Sequence, residues 1–317
     1  MSHERAKILY IGGAGRSGST LLDSMLGMVP GFVSCGELRY IWERSFRENQ
    51  LCGDGIPFRD HPFWTEVVDE AFGGFDEVDV DRVIHLRHQI DRLRYIPQVA
   101  ISGIRSEQIE ASLAEYAEYI RPLYRAIYEV SGCSVIVDSS KSATYPYLLH
   151  NTTDLDIYMV HFVRDSRAMA YSWKRKKLRP EIHWQEEYME QFKIKRSTRN
   201  WTMNNGFSVL FRFVNPHYLF MRYEDFTTDP QKSLVDILEF VGEQNADISF
   251  LEDGRRFQPT PQVSVAGNPL RFKRDEIVIR SDEEWRKKMS KRDQFVATCL
   301  TAPLLAYFGY LPSRSAS

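Results

Sequence analysis

The chain has 317 residues, 43% of them hydrophobic and 26% charged, the balance of an ordinary globular protein with enough apolar mass for a sizeable core. Its formal net charge of −2 gives no general attraction for nucleic acid or an anionic membrane, so any anion site has to be built locally. The four cysteines (Cys35, Cys52, Cys133 and Cys299) are far apart with no C-x-x-C pair, which argues against a disulfide framework or zinc site and for a reducing compartment.

The N-terminal MSHERAKILYIGGAG holds too short an apolar run for a signal peptide. No stretch approaches the roughly 20 apolar residues that span a bilayer, so the sequence reads as cytoplasmic. Ala6 to Ile11 is a short apolar run halted by Gly12-Gly13, the pattern of a buried strand feeding a loop. From Thr20, TLLDSMLGM carries apolar residues at helical spacing and stops at Pro30-Gly31. The chain therefore opens strand, glycine-rich loop, helix, one βα unit of a parallel sheet.

Residues at about 40 to 130 read as a long, mainly helical insert on the acceptor side of one domain spanning the chain. Its clearest helix, SEQIEASLAEYAEYIRPLYRAIYEV, places Ile109, Leu113, Tyr116, Ile120, Leu123 and Ile127 mainly on one face. Three further strands are expected at Ser134 to Val137, Ile157 to Val163 and Tyr218 to Met221, each apolar without alternation. A helix is expected from Pro230 to Val241. The order β-α-β-α predicts an α/β fold of P-loop-like, doubly wound type: a mostly parallel sheet flanked by helices. The terminal SRSAS is expected to fray.

The sharpest motif is GAGRSGST from Gly13 to Thr20, which fits a phosphate loop except that Ser19 replaces the lysine of nucleotide kinases. Gly15 and Gly18 let backbone N–H groups converge, and the following helix offers its positive N-terminus to a phosphate. Arg16 adds charge, while Ser17, Ser19 and Thr20 add hydroxyl donors. Without the lysine, transfer of a γ-phosphoryl group loses its central cation. No D-x-D pair or histidine cluster has convincing metal spacing, so no metal is called for.

A second anion site follows at VRDSRAMAYS, Val163 to Ser172. Arg164 ends a strand and Ser172 comes eight residues later, which resembles the 3′-phosphate motif of PAPS-dependent sulfotransferases (PAPS is 3′-phosphoadenosine-5′-phosphosulfate). GRSGSTLL is similar to that family's 5′-phosphosulfate loop, VAGNPLRF (Val265 to Phe272) to its late nucleotide-closing loop, and DEEW (Asp282 to Trp285) to the opening of its last helix. Cys35-Gly-Glu37 resembles the Gly-Glu of the tyrosylprotein branch, and the chain looks closest to that branch and the bacterial small-molecule one.

The resemblance implies an enzyme that moves the sulfuryl group of PAPS to a hydroxyl, releasing PAP (the 3′,5′-bisphosphate). It implies Glu37 as general base, Arg16 on the departing oxygen and Lys141 on the transferred group. Asn268 and Arg271 then fix the nucleotide, with Arg271 toward the 3′-phosphate. Tyr223, which follows the last strand, lines the nucleotide pocket or belongs only to the core, and Lys176 in KRKK matches the second basic ligand of the 3′-phosphate. Ser264 stays outside the catalytic set. The run Lys174 to Lys177 (KRKK) with Arg179 reads as a solvated face, or alternatively as an attractor for an anionic acceptor such as a sulfated sugar or a carrier-bound thioester. Trp42, Phe46, Tyr95, Trp173, Trp184, Tyr188 and Trp201 are candidates to wall an acceptor pocket, although most aromatics at this frequency are core.

The implied partner is a hydroxyl-bearing acceptor, a small molecule or one bound to a carrier. Two alternatives stand beside this reading. One is a P-loop kinase or NTPase, for which Asp138 after an apolar strand resembles a Walker B carboxylate. The other is a nucleotide-binding module without catalysis, which leaves Glu37 and Lys141 without a task.

Overall fold

The computed structural model describes residues 7–311; Ala6 and the terminal SRSAS lie outside the described residues. Five parallel strands form the central sheet in the order β2-β3-β1-β4-β5: β1 (Lys7–Gly12), β2 (Phe32–Gly36), β3 (Val135–Asp138), β4 (Asp156–Val163) and β5 (Tyr218–Arg222). Lys7 stands opposite both Val135 and Asp156, and Gly12 opposite His161. All five strands run the same way, so their C-terminal ends share one edge, where open α/β sheets bind ligands.

Each strand is apolar throughout because its alternate residues enter different cores. Ile8 and Tyr10 of β1 pack with Ile136, Ile157 and Met159 on one face of the sheet. Leu9 and Ile11 pack with Val135, Val137, Val160 and Phe162 on the other. The helices are α1 (Ser19–Leu26), α2 (Pro62–Phe72), α3 (Val80–Ile90), α4 (Ile96–Ala100), α5 (Glu107–Ser131), α6 (Tyr145–Thr152), α7 (Ser166–Trp173), α8 (Ile194–Phe211), α9 (Tyr223–Thr228), α10 (Pro230–Val241), α11 (Glu284–Lys288) and α12 (Lys291–Tyr307). Leu22 and Met25 of α1 and Leu234 and Ile237 of α10 cover the second face, while the segment from η-turns at Leu38 to the end of α5 covers the first.

The longest helix shows how local signals and burial agree. The Ser106 hydroxyl accepts from Ile109 N–H at the start of α5, and Gly132, at φ 60°, closes its end. Tyr116, Ile120, Leu123 and Ile127 are fully buried, each worth roughly 1.5–3 kcal/mol on the transfer scale. Before α2, Ile41–Arg47 forms a π-helical turn whose Trp42 and Phe46 enter the same core.

The expected strands and long helix appear with ends shifted by a residue or two. β2 is an addition, a strand that the sequence reading placed nowhere. It is held by pairing to β3 and by Ser134 and Val135 N–H donating to the Gly31 carbonyl. DEEW does not open the last helix: Asp282 and Glu283 precede the short α11, and α12 starts at Lys291 behind the Ser290 cap. No helix among the described residues is long and apolar enough to cross a membrane.

Candidate active site

A cavity of about 650 Å³ opens at the C-terminal edge of the sheet, over the ends of β1, β3 and β4. The loop between β1 and α1 forms its floor, contributing Ala14, Gly15, Arg16, Gly18, Ser19 and Thr20. Gly13 (φ 125°) must be glycine, because a Cβ there would lie 2.5 Å from the Phe162 carbonyl. Gly18, at φ 93°, caps α1 and leaves its first N–H groups facing the loop. Arg16 itself is left-handed, at φ 70°, an uncommon conformation for a non-glycine residue that clusters at ligand sites.

The Arg16 guanidinium lies 4.9 Å over the Trp173 ring, and all three of its buried nitrogens lack a hydrogen-bond partner. Five unfilled donors on a buried cation leave a strong, unmet demand for an anion. Burial also lowers the Arg16 pKa from its ordinary value, against an opposing pull from Glu37.

Arg164, at the end of β4, faces the same cavity. Its guanidinium donates to the backbone carbonyls of Arg16 (3.4 Å) and Asp282 (3.0 Å), meets the Asp282 carboxylate at 3.2 Å, and stacks 4.4 Å over Tyr223. Asp165 caps α7 by accepting from Arg167 N–H, so the helix starts at Ser166 and turns Ser172 toward the cavity. The late loop closes the rim with Gly267 and Asn268, whose Oδ1 accepts from Leu270 N–H.

Glu37 follows β2 and is fixed from two sides. Its N–H donates to the Val265 carbonyl at 2.9 Å, and the Val265 N–H donates to the Cys35 carbonyl at 2.9 Å, so the late loop continues the sheet beyond β2. Its Oε1 accepts from Lys141 Nζ at 2.6 Å. Lys141, left-handed at φ 61°, donates its own N–H to the Ile11 carbonyl, which ties the loop after β3 to the end of β1. Burial opposes ionisation of Glu37, but Lys141, then Arg44 and Arg271, outweigh it and hold the carboxyl below its ordinary pKa.

The structure thus gathers Glu37, Lys141, Gly15, Arg16, Gly18, Ser19, Thr20, Arg164, Ser172, Tyr223 and Asn268 on one cavity wall or another. Ser17 is buried beneath the loop with no partner for its hydroxyl. Arg271 is placed differently from the expectation. It is buried and donates to the carbonyls of Ser264 (2.6 Å) and Leu51 (2.9 Å), pinning the late loop to the insert from behind. Burial lowers its pKa to about 10.

KRKK is likewise divided. Lys176 turns outward over the Tyr188 ring, whereas Arg175 and Lys177 line the cavity. Lys177 is half-buried, and burial together with Arg16, Arg175 and Arg164 pushes its pKa down to about 8. Of the two lysines Lys176 and Lys177, it is thus Lys177 that the turn after α7 brings to the cavity. Among the aromatic candidates, Trp173 and Trp201 line the cavity, Trp42 and Phe46 are core, and Trp184 and Tyr188 are exposed. Met189 and Phe192, not anticipated, complete that wall.

Seven cationic side chains face three carboxylates (Glu37, Asp91 and Asp282) across the cavity, so it draws an anionic ligand although the whole chain is slightly acidic. Asp138, the Walker B look-alike, is fully buried and accepts from Tyr124 Oη at 2.6 Å and Ser140 N–H at 2.9 Å. Burial pushes its pKa up to about 6. No group of three or more His, Cys, Asp or Glu among the described residues is placed to hold a metal ion.

A family model described as the sulfotransferase domain matches residues 8–293. The chain belongs to the sulfotransferase family. Solved structures agree on the fold. This sulfotransferase superimposes with a TM-score of 0.54 on the sulfotransferase domain from the Synechococcus PCC 7002 olefin synthase, at 20% identity and covering 98% of each chain. It matches the sulfotransferase domain from the curacin biosynthetic pathway with a TM-score of 0.50 at 17% identity, covering 93% of this chain and 98% of that one. No curated relative matches at a significant level. Membership makes the chain an enzyme of sulfuryl transfer and accounts for a cavity lined with phosphate-loop donors and surplus cations.

Proposed function

We propose that the enzyme transfers the sulfuryl group of PAPS in line to a hydroxyl of its acceptor, with Glu37 as general base. The observation that carries the reading is the unpaired Arg16 guanidinium in the loop between β1 and α1, with Arg164 and Ser172 lining the same cavity, which we read as a second anion site. A nucleotide phosphorylated at both 5′ and 3′ positions needs two such sites; ATP needs one. The loop N–H groups and Ser19 and Thr20 take the 5′-phosphosulfate, and Arg164 and Ser172 the 3′-phosphate, with Asn268 on the rim.

The acceptor oxygen attacks sulfur while the bond from sulfur to the 5′-phosphate oxygen breaks. That electron pair stays on the phosphate, and the acceptor proton passes to the Glu37 carboxylate. Arg16 stabilises the charge growing on the leaving oxygen, and Lys141, released from Glu37, neutralises the transferred group. The insert supplies the acceptor side through Arg39, Tyr40, Arg44 and Leu93. The kinase alternative loses its support because Asp138 is tied to Tyr124 and Ser140.

The test is turnover of radiolabelled PAPS with a panel of phenols, sugars and aliphatic alcohols. Label transfer matched by PAP release is the expected result. PAP binding without transfer to any acceptor would favour a non-catalytic module.

A further inference from the structure

Four of the cations that line the cavity are already paired. Arg39 meets Asp91 at 2.6 Å, Lys141 meets Glu37 at 2.6 Å, Arg164 meets Asp282 at 3.2 Å and Arg175 meets Glu284 at 3.4 Å. Arg16, Lys177 and Arg44 have no carboxylate within ion-pair distance among the described residues. The first two belong together: of its charged neighbours Lys177 feels Arg16 most strongly, then Arg175 and Arg164. They serve the donor's phosphates.

Arg44 sits apart from them. It lies within the π-helical turn Ile41–Arg47, just beyond Glu37, and π-turns recur at functional sites. Its guanidinium stacks 4.4 Å over the Tyr40 ring, whose other cationic neighbours, Arg39 and Arg87, are both bound to Asp91. Its charge acts on Glu37 and Arg271. A half-buried guanidinium held over a ring at the cavity wall, with no carboxylate in ion-pair contact, is placed to receive an incoming oxyanion by charge-assisted hydrogen bonds.

We propose that Arg44, with Tyr40 as its platform, is an oxyanion subsite for the acceptor: the hydroxyl compound sulfated here carries a carboxylate or phosphate that Arg44 holds while its hydroxyl faces Glu37. This rests on the donor reading above, because PAPS must leave Arg44 unused. Leu93, Thr144 and Asn204 line the same cavity, whose walls are of mixed polar and apolar character. The acceptor is therefore a small hydroxy acid or phosphate ester rather than a neutral sugar or alcohol.

The test is a calorimetric titration of protein saturated with PAP, using phenylacetate, propionate and phenyl phosphate as anions and the amides phenylacetamide and propionamide as neutral controls. Wild-type protein binds at least one anion and discriminates against the amides, and Arg44→Gln weakens that anion roughly tenfold to a hundredfold, as loss of a charge-assisted hydrogen bond does. Arg44→Lys restores part of the affinity, which a purely structural role for the side chain would not produce. Phenylacetate against phenyl phosphate distinguishes a carboxylate from a phosphate acceptor. Equal anion affinity in wild type and Arg44→Gln, or no anion bound more tightly than its amide, overturns the inference while leaving the donor reading in place. Failure of PAP to bind wild-type protein overturns the donor reading first, and the two failures are told apart in the same instrument.

Discussion

At Glu37 two effects of opposite sign meet in one carboxyl. Burial disfavours its charge, and the Lys141 ammonium at 2.6 Å more than compensates, so the base form persists across the neutral range. Glu37→Gln should lower turnover by ~10²–10⁴-fold, measured with saturating PAPS, and leave PAP affinity near wild type. Lys141→Ala should slow turnover more than about threefold, ~1 kcal/mol of barrier or more; a smaller loss would remove it from the transition state. Lys177 gives the cavity an alkaline limit. It is charged below a pKa of about 8 and neutral above it, and an anion favours the charged form, so donor affinity should fall as pH rises through that value. In Lys177→Met, PAP affinity should be lower and flat between neutral and moderately alkaline pH, readable by calorimetry at several pH values. The side chains carrying this chemistry were legible unevenly. Arg164 directly follows β4, and Arg16 and Ser172 stand at motif positions in the loop after β1 and in α7, but Lys177 is set by the turn after α7, and Lys176 beside it turns outward.

Elements are where local sequence and long-range pairing divide the work. β1, its loop and α1 announce themselves through an apolar run, glycines and helical spacing. β2 does not: FVSCG is five residues between a turn at Gly31 and the kink at Gly36, and only pairing to β3 makes it a strand. Gly36 then has an outsized role. It sits at φ 73°, and a Cβ there would lie 2.4 Å from the Val265 carbonyl that receives the Glu37 N–H. Gly36→Ala should strain the junction by ~1–3 kcal/mol. It should displace Glu37 and the late loop together, so that turnover falls more than thermal stability alone explains. Gly18→Ala is the matching test on the donor side, since its Cβ would lie 2.6 Å from the Tyr223 ring at φ 93°. Arg271 shows the limit of motif reading at this scale. The late-loop motif locates the residue, but its guanidinium satisfies the Ser264 and Leu51 carbonyls behind the loop, so it organises the wall that Asn268 and Gly267 present.

Across the whole molecule, a chain of net charge −2 sets seven cationic side chains against three carboxylates at one edge of one sheet. The parallel topology brings all five strand ends to that edge, and the insert packs its aromatic residues into the core on the first face of the sheet. Order along the chain was enough to place the phosphate loop and the Arg164 site together, because both follow adjacent central strands. It was not enough to orient the insert, whose contribution depends on packing between residues such as Tyr40, Arg44 and Asp91 that no motif links. On the proposed function, this edge takes a nucleotide carrying both 5′ and 3′ phosphates. That reading is tested most directly by calorimetric titration of the protein with PAP, ATP and AMP, first without and then with Mg²⁺. Tight, metal-independent binding of PAP with much weaker ATP and AMP is the result the account predicts. Preference for Mg·ATP with no response to PAP would contradict it.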